Sequence, residues 1–249
     1  MNLDRVIAVR NNKTVYRDGN QCIKLFNSDF SKADVLNEAL NQARIEETGL
    51  RIPRVIGVTT HEGKWAIISE YIEGKTLARL MQECPEKKSE YIDLLASLQT
   101  DVHAKTCPLL NRLRDKTDRM IAVCDLDATL RYDLHTRLEA MPRQNQICHG
   151  DFVPHNIVIT ADGTPYILDW SHATQGNAEA DVAGTYLWFC VQNRQEDAEY
   201  YLDTFCASSG VRKDCVQRWL PIIAAAKLSK CNADAREILQ TWARKVDFH

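Results

Sequence analysis

With 249 residues, 45% of them hydrophobic, the chain can bury a sizeable core as one large domain or two lobes, and it is too apolar to be disordered. Its 34 acidic and 31 basic residues leave a net charge of −3 with no long run of one sign. That excludes the electrostatic footprint of a nucleic-acid or anionic-membrane binder and turns attention to small molecules. Nine cysteines are scattered without a Cys-x-x-Cys pair and often sit beside apolar residues, as in Gln21-Cys22-Ile23 and Phe189-Cys190-Val191. This pattern argues against zinc and for buried free thiols in a reducing compartment, so a cytoplasmic protein is expected. Met1-Asn2-Leu3-Asp4-Arg5 lacks the apolar core of a signal peptide, and no window reaches the ~18 apolar residues of a membrane span.

From the N-terminus the chain alternates in the manner of strands at residues 6–9, 14–16, 22–26, 54–59 and 65–71. Asp18-Gly19-Asn20 and His61-Glu62-Gly63 supply turns, so a small antiparallel sheet is predicted. One helix interrupts it at 31–48. Leu36, Ala39, Leu40 and Ala43 share a face expected to pack on the sheet, Ser31 with Asp34 resembles a capping box, and Gly49 is placed to end the helix. Beyond Glu73 helical spacing takes over, at Leu94, Leu95, Leu98 and Val102, then over 109–123, 126–140, 182–191 and 215–226. A single β-hairpin is set among these helices, 156–160 with 165–170, turned by Asp162-Gly163. The fold class is therefore α+β. A β-rich lobe with one helix (residues 1–72) precedes a larger, mainly helical lobe carrying the hairpin (73–249). Glu73-Gly74-Lys75 is the junction, and a nucleotide is expected in the cleft beside it.

The hairpin follows the most informative stretch, His149-Gly150-Asp151-Phe152-Val153-Pro154-His155-Asn156, and ends on Asp169-Trp170. Phosphoryl transfer asks for positioned charge: a carboxylate to take the acceptor hydroxyl's proton, and oxygen ligands for Mg²⁺ against the nucleotide phosphates. Asp151, Asn156 and Asp169 carry such atoms, and their order is that of the protein kinases. The Gly after His149 and the Trp after Asp169 favour a different branch. With Lys24 in Cys22-Ile23-Lys24-Leu25-Phe26, Glu38 on the next helix and the hinge-like Ser69-Glu70-Tyr71-Ile72-Glu73-Gly74, the first 190 or so residues resemble the aminoglycoside phosphotransferase and choline kinase group of small-molecule kinases.

The resemblance implies a protein-kinase-like fold and Mg²⁺-dependent transfer of the γ-phosphoryl group of ATP, with GTP as the other candidate donor, to a hydroxyl of a small molecule. Asp151 would be the catalytic carboxylate; Asn156 and Asp169 would hold Mg²⁺. Lys24, paired with Glu38, would reach the α and β phosphates. Glu70 and Ile72 would offer backbone groups to the nucleobase, and His149 and Asp181 would brace the catalytic loop.

Plainer readings compete. Asp151, Asn156 and Asp169 could be ordinary turn residues, but three polar types at this spacing seldom coincide with a hairpin. Lys24 could face outward, although it lies in the apolar run Ile23, Leu25, Phe26. Glu46 and Glu47 compete with Glu38 for Lys24, and Asp181 could cap a helix beginning at 182. His149, Asp151, His155 and His172 could bind a transition metal, though no second carboxylate cluster completes such a site.

The turn expected over the phosphates, Arg10-Asn11-Asn12-Lys13, contains no glycine, so Asn11, Asn12 and Lys13 are the donors left there. For the acceptor, Glu196, Asp197, Glu199 and Asp203 could attract a cationic substrate or form a solvated helix face, and Tyr186, Trp188, Tyr200, Tyr201 and Trp219 could frame a quaternary ammonium or fill the core. Two other functions are weighed. A catalytically silent nucleotide-binding module would not need Asp151. A kinase acting on proteins would need a longer segment than the eleven residues between Asp169 and Asp181.

Overall fold

The computed structural model describes residue 3 and residues 5–245; most of the N-terminal pentapeptide considered above lies outside them. The chain forms two compact units, one of Met1–Gln82 with Pro154–His172, the other of Glu83–Val153 with Ala173–His249.

The first unit opens with β1 (Val6–Val9), β2 (Lys13–Asp18) and β3 (Gln21–Phe26), followed by α1 (Lys32–Glu46), β4 (Val55–His61) and β5 (Lys64–Glu70). These strands make one antiparallel sheet in the order β1-β2-β3-β5-β4. Gly19 (φ +57°) and Gly63 (φ +77°) take the left-handed conformation that the tight hairpin turns require. β2 and β4 run past the predicted ends. Their last residues, Arg17-Asp18 and Thr60-His61, are polar, and the ladder is carried by backbone groups whatever the side chain.

α1 packs on the sheet through Val35 and Ala39, which meet Phe26 and Ile67 with Phe30, Val58 and Trp65 around them. Each fully buried side chain of this size contributes ~1.5–3 kcal/mol. The expected face of Leu36, Ala39, Leu40 and Ala43 needs correction: Leu36 and Leu40 are 42% and 47% exposed and Ala43 is exposed, whereas Val35, Glu38, Ala39, Asn41, Gln42 and Ile45 are buried. The helix is turned by one residue, roughly 100°. Polar side chains can occupy the inner face because they find partners there: Gln42 donates to Pro53 O (2.7 Å), and Glu38 is held by lysines. Nor does the expected capping box form. Ser31 makes no side-chain cap; its carbonyl accepts the N–H of Asp34 and Val35. Gly49 (φ +78°) does follow the helix end.

After β5 come β6 (Lys75–Thr76) and α2 (Leu77–Glu83). The second unit then begins with α3 (Lys88–His103), α4 (Leu113–Ala122), α5 (Ala128–Ala140) and β7 (Gln146–Cys148). The chain returns to the first unit for the hairpin of β8 (Ile157–Ile159) and β9 (Pro165–Ile167), shorter than predicted because Pro154–Asn156 and Trp170–His172 form single 3₁₀ turns at its ends. β6 completes a three-stranded sheet, β6-β8-β9, so the hairpin packs with the N-terminal elements.

The rest of the second unit is β10 (Thr174–Gly176), paired with β7, and α6 (Ala178–Val191), α7 (Gln195–Ser209), α8 (Lys213–Gln217), α9 (Leu220–Leu228) and α10 (Ala233–Ala243). The helix expected at 109–123 starts only at Leu113; the loop before it is tied by Gln175, whose side chain donates to Pro108 O and Leu110 O. The helix expected at 215–226 is two, because Pro221 starts a new one at its first turn. No helix among the described residues is long and apolar enough to cross a membrane.

Gly74 sits where β6 meets β8. A Cβ there would lie 2.3 Å from Ile159 O, while a Cβ on Gly57 would meet nothing within 4 Å. Gly74→Ala should lower stability by ~1–3 kcal/mol, read as a shift in the urea midpoint, and Gly57→Ala should change it far less. Equal midpoints for the two variants would rule out the close approach.

Candidate functional site

The first unit brings four charged side chains together. In the β2–β3 register Lys13 lies opposite Phe26 and Val15 opposite Lys24, so Lys13 and Lys24 are diagonal neighbours on one face of the sheet. α1 covers that face and delivers Glu38. Lys24 Nζ lies 2.6 Å from Glu38 Oε1 and 3.0 Å from Asp169 Oδ1. Lys13 Nζ lies 3.1 and 3.2 Å from the two Glu38 oxygens and 3.5 Å from Asp169 Oδ1. Burial works against the Lys24 ammonium, but Asp169 and Glu38 outweigh it and hold the group above the usual lysine range. Of the competing carboxylates, Glu46 is occupied by the N–H of Val55 (2.6 Å) and Glu47 is exposed.

Asp169 reaches the lysines from the end of the hairpin. The N–H of Leu168 donates to Asn156 O (2.7 Å), which sets Asp169 beside the turn that ends in Asn156. The turn Trp170–His172 packs on α1, with Trp170 wholly buried and its Nε1–H bonded to Ile167 O (3.1 Å). Asp169 takes φ +61°, a conformation uncommon for a residue with a Cβ. From sequence, Lys13 falls in the glycine-free turn expected over the phosphates, as one of its donors. The structure gives it 7% exposure within the ion cluster, a position legible only once the hairpin register with Lys24 is known.

The oxygen donors of Asn156 and Asp169 are of the hard type that Mg²⁺ takes. The described residues hold no group of three or more His, Cys, Asp or Glu side chains suited to a metal. Glu70 ends β5. Its N–H is spent on Arg54 O (2.8 Å), which restricts any part in base binding to its carbonyl, and Ile72 follows in the irregular segment before β6.

In the second unit, β7 leads straight into His149-Gly150-Asp151. Asp181 lies in the first turn of α6 instead of at its cap, which is Asn177. Its carboxylate accepts the backbone N–H of His149 (3.0 Å) and of Gly150 (2.7 Å), and lies 3.1 Å from His103 Nε2 and 3.2 Å from Gln99 Nε2. His149 is fully buried and accepts the N–H of Asp151 on Nδ1 (3.2 Å), while Thr185 Oγ1 donates to Phe152 O (2.8 Å). The loop backbone is therefore fixed from both sides of Asp151. Gln99, His103 and Thr185 were missed from sequence, and Tyr201, weighed there as a cation frame or a core residue, bonds Gln99 through its hydroxyl. Gln99 and His103, four apart on the buried stripe of α3 with Leu95 and Val102, were the signal available.

Three of the four carboxylates of the acidic run on α7 are paired. Asp197 pairs with Lys88 and Arg194, Glu199 with Lys213 and the Tyr186 hydroxyl, and Asp203 with Lys213. Tyr186, Tyr201 and Trp219 are buried core residues.

Burial would push the Asp181 carboxyl up, but the hydrogen bond and charge of His103 and the Gly150 N–H outweigh it and hold it at about 2 against an ordinary 3.8. A depressed value in the folded state adds stability above the unfolded value, lost as pH falls through the folded one. Asp181 should thus contribute roughly 2 kcal/mol that is present above pH ~4 and disappears toward pH ~2. Asp181→Asn should be less stable at neutral pH and show a flatter acid profile in urea unfolding. Identical profiles would show that Asp181 carries none of this dependence.

A family model described as "Phosphotransferase enzyme family" matches residues 7–215. No curated protein sequence matches the chain. Among solved structures it is similar to aminoglycoside phosphotransferase APH(4)-Ia (17% identity, 95% of this chain and 90% of that one, TM-score 0.68). It is also similar to aminoglycoside phosphotransferase APH(3'')-Id from Streptomyces rimosus in complex with ADP and streptomycin (17% identity, 86% and 90%, TM-score 0.63). A third is choline kinase LicA from Streptococcus pneumoniae (15% identity, 98% and 92%, TM-score 0.65). These likenesses show a kinase-like α+β fold. The family match spans most of the chain, and the protein belongs to the phosphotransferase enzyme family.

Proposed function

We propose that the protein transfers the γ-phosphoryl group of ATP, or of GTP, to a hydroxyl of a small molecule. The observation that supports this best is the buried bridge of Lys24 between Glu38 and Asp169. It keeps an ammonium fully charged where a triphosphate would need one, and keeps it beside the carboxylate that would face the metal. In this reading residues 1–72 serve the nucleotide and 73–249 the chemistry and the acceptor.

Asp151 would take the acceptor proton and orient the attacking oxygen, on a loop whose amides are held by Asp181 and His149. Lys24 would reach the α and β phosphates, the Glu70 carbonyl and the Ile72 backbone would meet the base, and Asn156 and Asp169 would hold Mg²⁺. When bound, that ion supplies charge neutralisation between the β and γ phosphates. All nine cysteines are free thiols, which supports a cytoplasmic setting. One structural neighbour holds streptomycin and another is a choline kinase, which puts amine-bearing alcohols first in an acceptor screen. The paired carboxylates of α7 give a cationic acceptor no added support.

The test is a screen of hydroxylated metabolites read by ADP release, with wild type beside Asp169→Ala. Turnover by wild type alone is expected, and persistent absence of turnover with nucleotide still bound would favour a binding module. On the acceptor so found, Asp151→Ala should lower kcat by about 10³-fold or more while nucleotide affinity holds within about threefold. Unchanged turnover would remove Asp151 from the proton transfer.

A further inference from the structure

The ion cluster of the first unit contains one lysine more than a phosphate-binding lysine with its glutamate partner requires. Lys13 is not a surface neighbour of that pair. It is 7% exposed, holds both oxygens of Glu38 and approaches Asp169 Oδ1 at 3.5 Å, with its ammonium 5.5 Å from the centre of the Phe26 ring. As it stands the cluster balances, two ammonium groups against two carboxylates. An ammonium this deep in the protein costs several kcal/mol unless an anion answers it.

The turn leading into Lys13 differs from an anion-binding nest of backbone amides. It has no glycine, and its chain is tied internally: the N–H of Arg10 donates to Lys13 O (2.9 Å), the N–H of Asn27 to Asn12 O (2.9 Å), and Asn27 Nδ2 to Asn11 O (3.1 Å). These bonds occupy one amide and two carbonyls of the turn, and to whatever the remaining amides offer this corner of the sheet adds a side-chain charge, fixed by the register that places Lys13 diagonal to Lys24.

We propose that Lys13 is a second phosphate-binding cation, standing in for the backbone amides of a glycine-rich loop and meeting the nucleotide's phosphate chain together with Lys24. This rests on the nucleotide-dependent reading above. If Asp169 turns its carboxylate to a metal-bound triphosphate, Glu38 alone cannot neutralise two ammonium groups. The phosphates then supply the missing negative charge. Lys24 is the nearer to Asp169 and Lys13 is held by both Glu38 oxygens, so the two lysines divide the phosphate chain between them instead of duplicating one contact.

The experiment measures affinity by calorimetry, with Mg²⁺, for adenosine, AMP, ADP and ATP, on wild type, Lys13→Met and Lys13→Arg. Wild type should gain affinity as phosphates are added. Lys13→Met should lose about 10- to 100-fold for ADP and ATP and stay within about threefold for adenosine, with Lys13→Arg in between. Glu38 keeps Lys24 in the Met variant; if that variant does not fold, Lys13→Gln is read the same way. Unchanged ATP affinity, or an equal loss for adenosine and ATP, would overturn the role and leave Lys13 a structural neutraliser. If wild type binds none of the series, the nucleotide reading itself fails, an outcome distinct from either.

Discussion

Glu38 sets the terms for the first unit. A carboxylate 5% exposed on the inner face of a helix is affordable only if cations reach it, and the hairpin register brings two. This requirement explains features that look unrelated. It rotates α1 away from the face that its leucines mark, leaving Leu36 and Leu40 in solvent. It holds Lys13 at the start of β2, where a glycine-free turn follows the edge strand. It also sets the level at which Asp169 must arrive, since both lysines use the same oxygen of that residue.

The second unit answers a different problem with the same physics. His149-Gly150-Asp151 leaves β7 with backbone amides pointing into the interior, and a buried amide without a partner costs more than a typical hydrogen bond gains. Asp181 satisfies two of them at once, and its own charge is in turn met by His103 and Gln99 from α3. The loop's shape thus depends on a carboxylate thirty residues downstream in sequence.

Both outcomes bear on what a sequence can disclose. Residues whose placement follows from local period or a turn were readable: the antiparallel strands, Gly19 and Gly63 in their turns, and the hairpin turned by Asp162-Gly163, while the pairing of Lys24 with Glu38 was legible only through the family resemblance. Features set by distant partners were not. Nothing in the spacing of Leu36 and Leu40 reveals that polar Glu38, Asn41 and Gln42 win the inner face, because the deciding partners are Lys13, Lys24 and Pro53 O. β6 is two residues long and β7 and β10 three each, too short for any period to register. Pro221 was a legible break that the apolar run around it concealed, since Leu220 to Ala226 is buried on every side.

Asp169 shows why strain and charge cannot be separated at this site. Its φ of +61° costs of the order of 1 kcal/mol, and a glycine would remove that cost. A glycine would also leave Lys13 and Lys24 facing one carboxylate in place of two. The conformation is enforced from both directions: Ile167 closes the ladder of β9 on one side, and the wholly buried Trp170 is fixed on α1 by the following turn on the other. Between these two anchors the chain must reverse within one or two residues, and the left-handed conformation is the one that does so with the carboxylate turned toward the lysines. An aspartate tolerates it better than most side chains. The residue is therefore held by packing where its backbone preference alone would not keep it, with its carboxylate against both lysines.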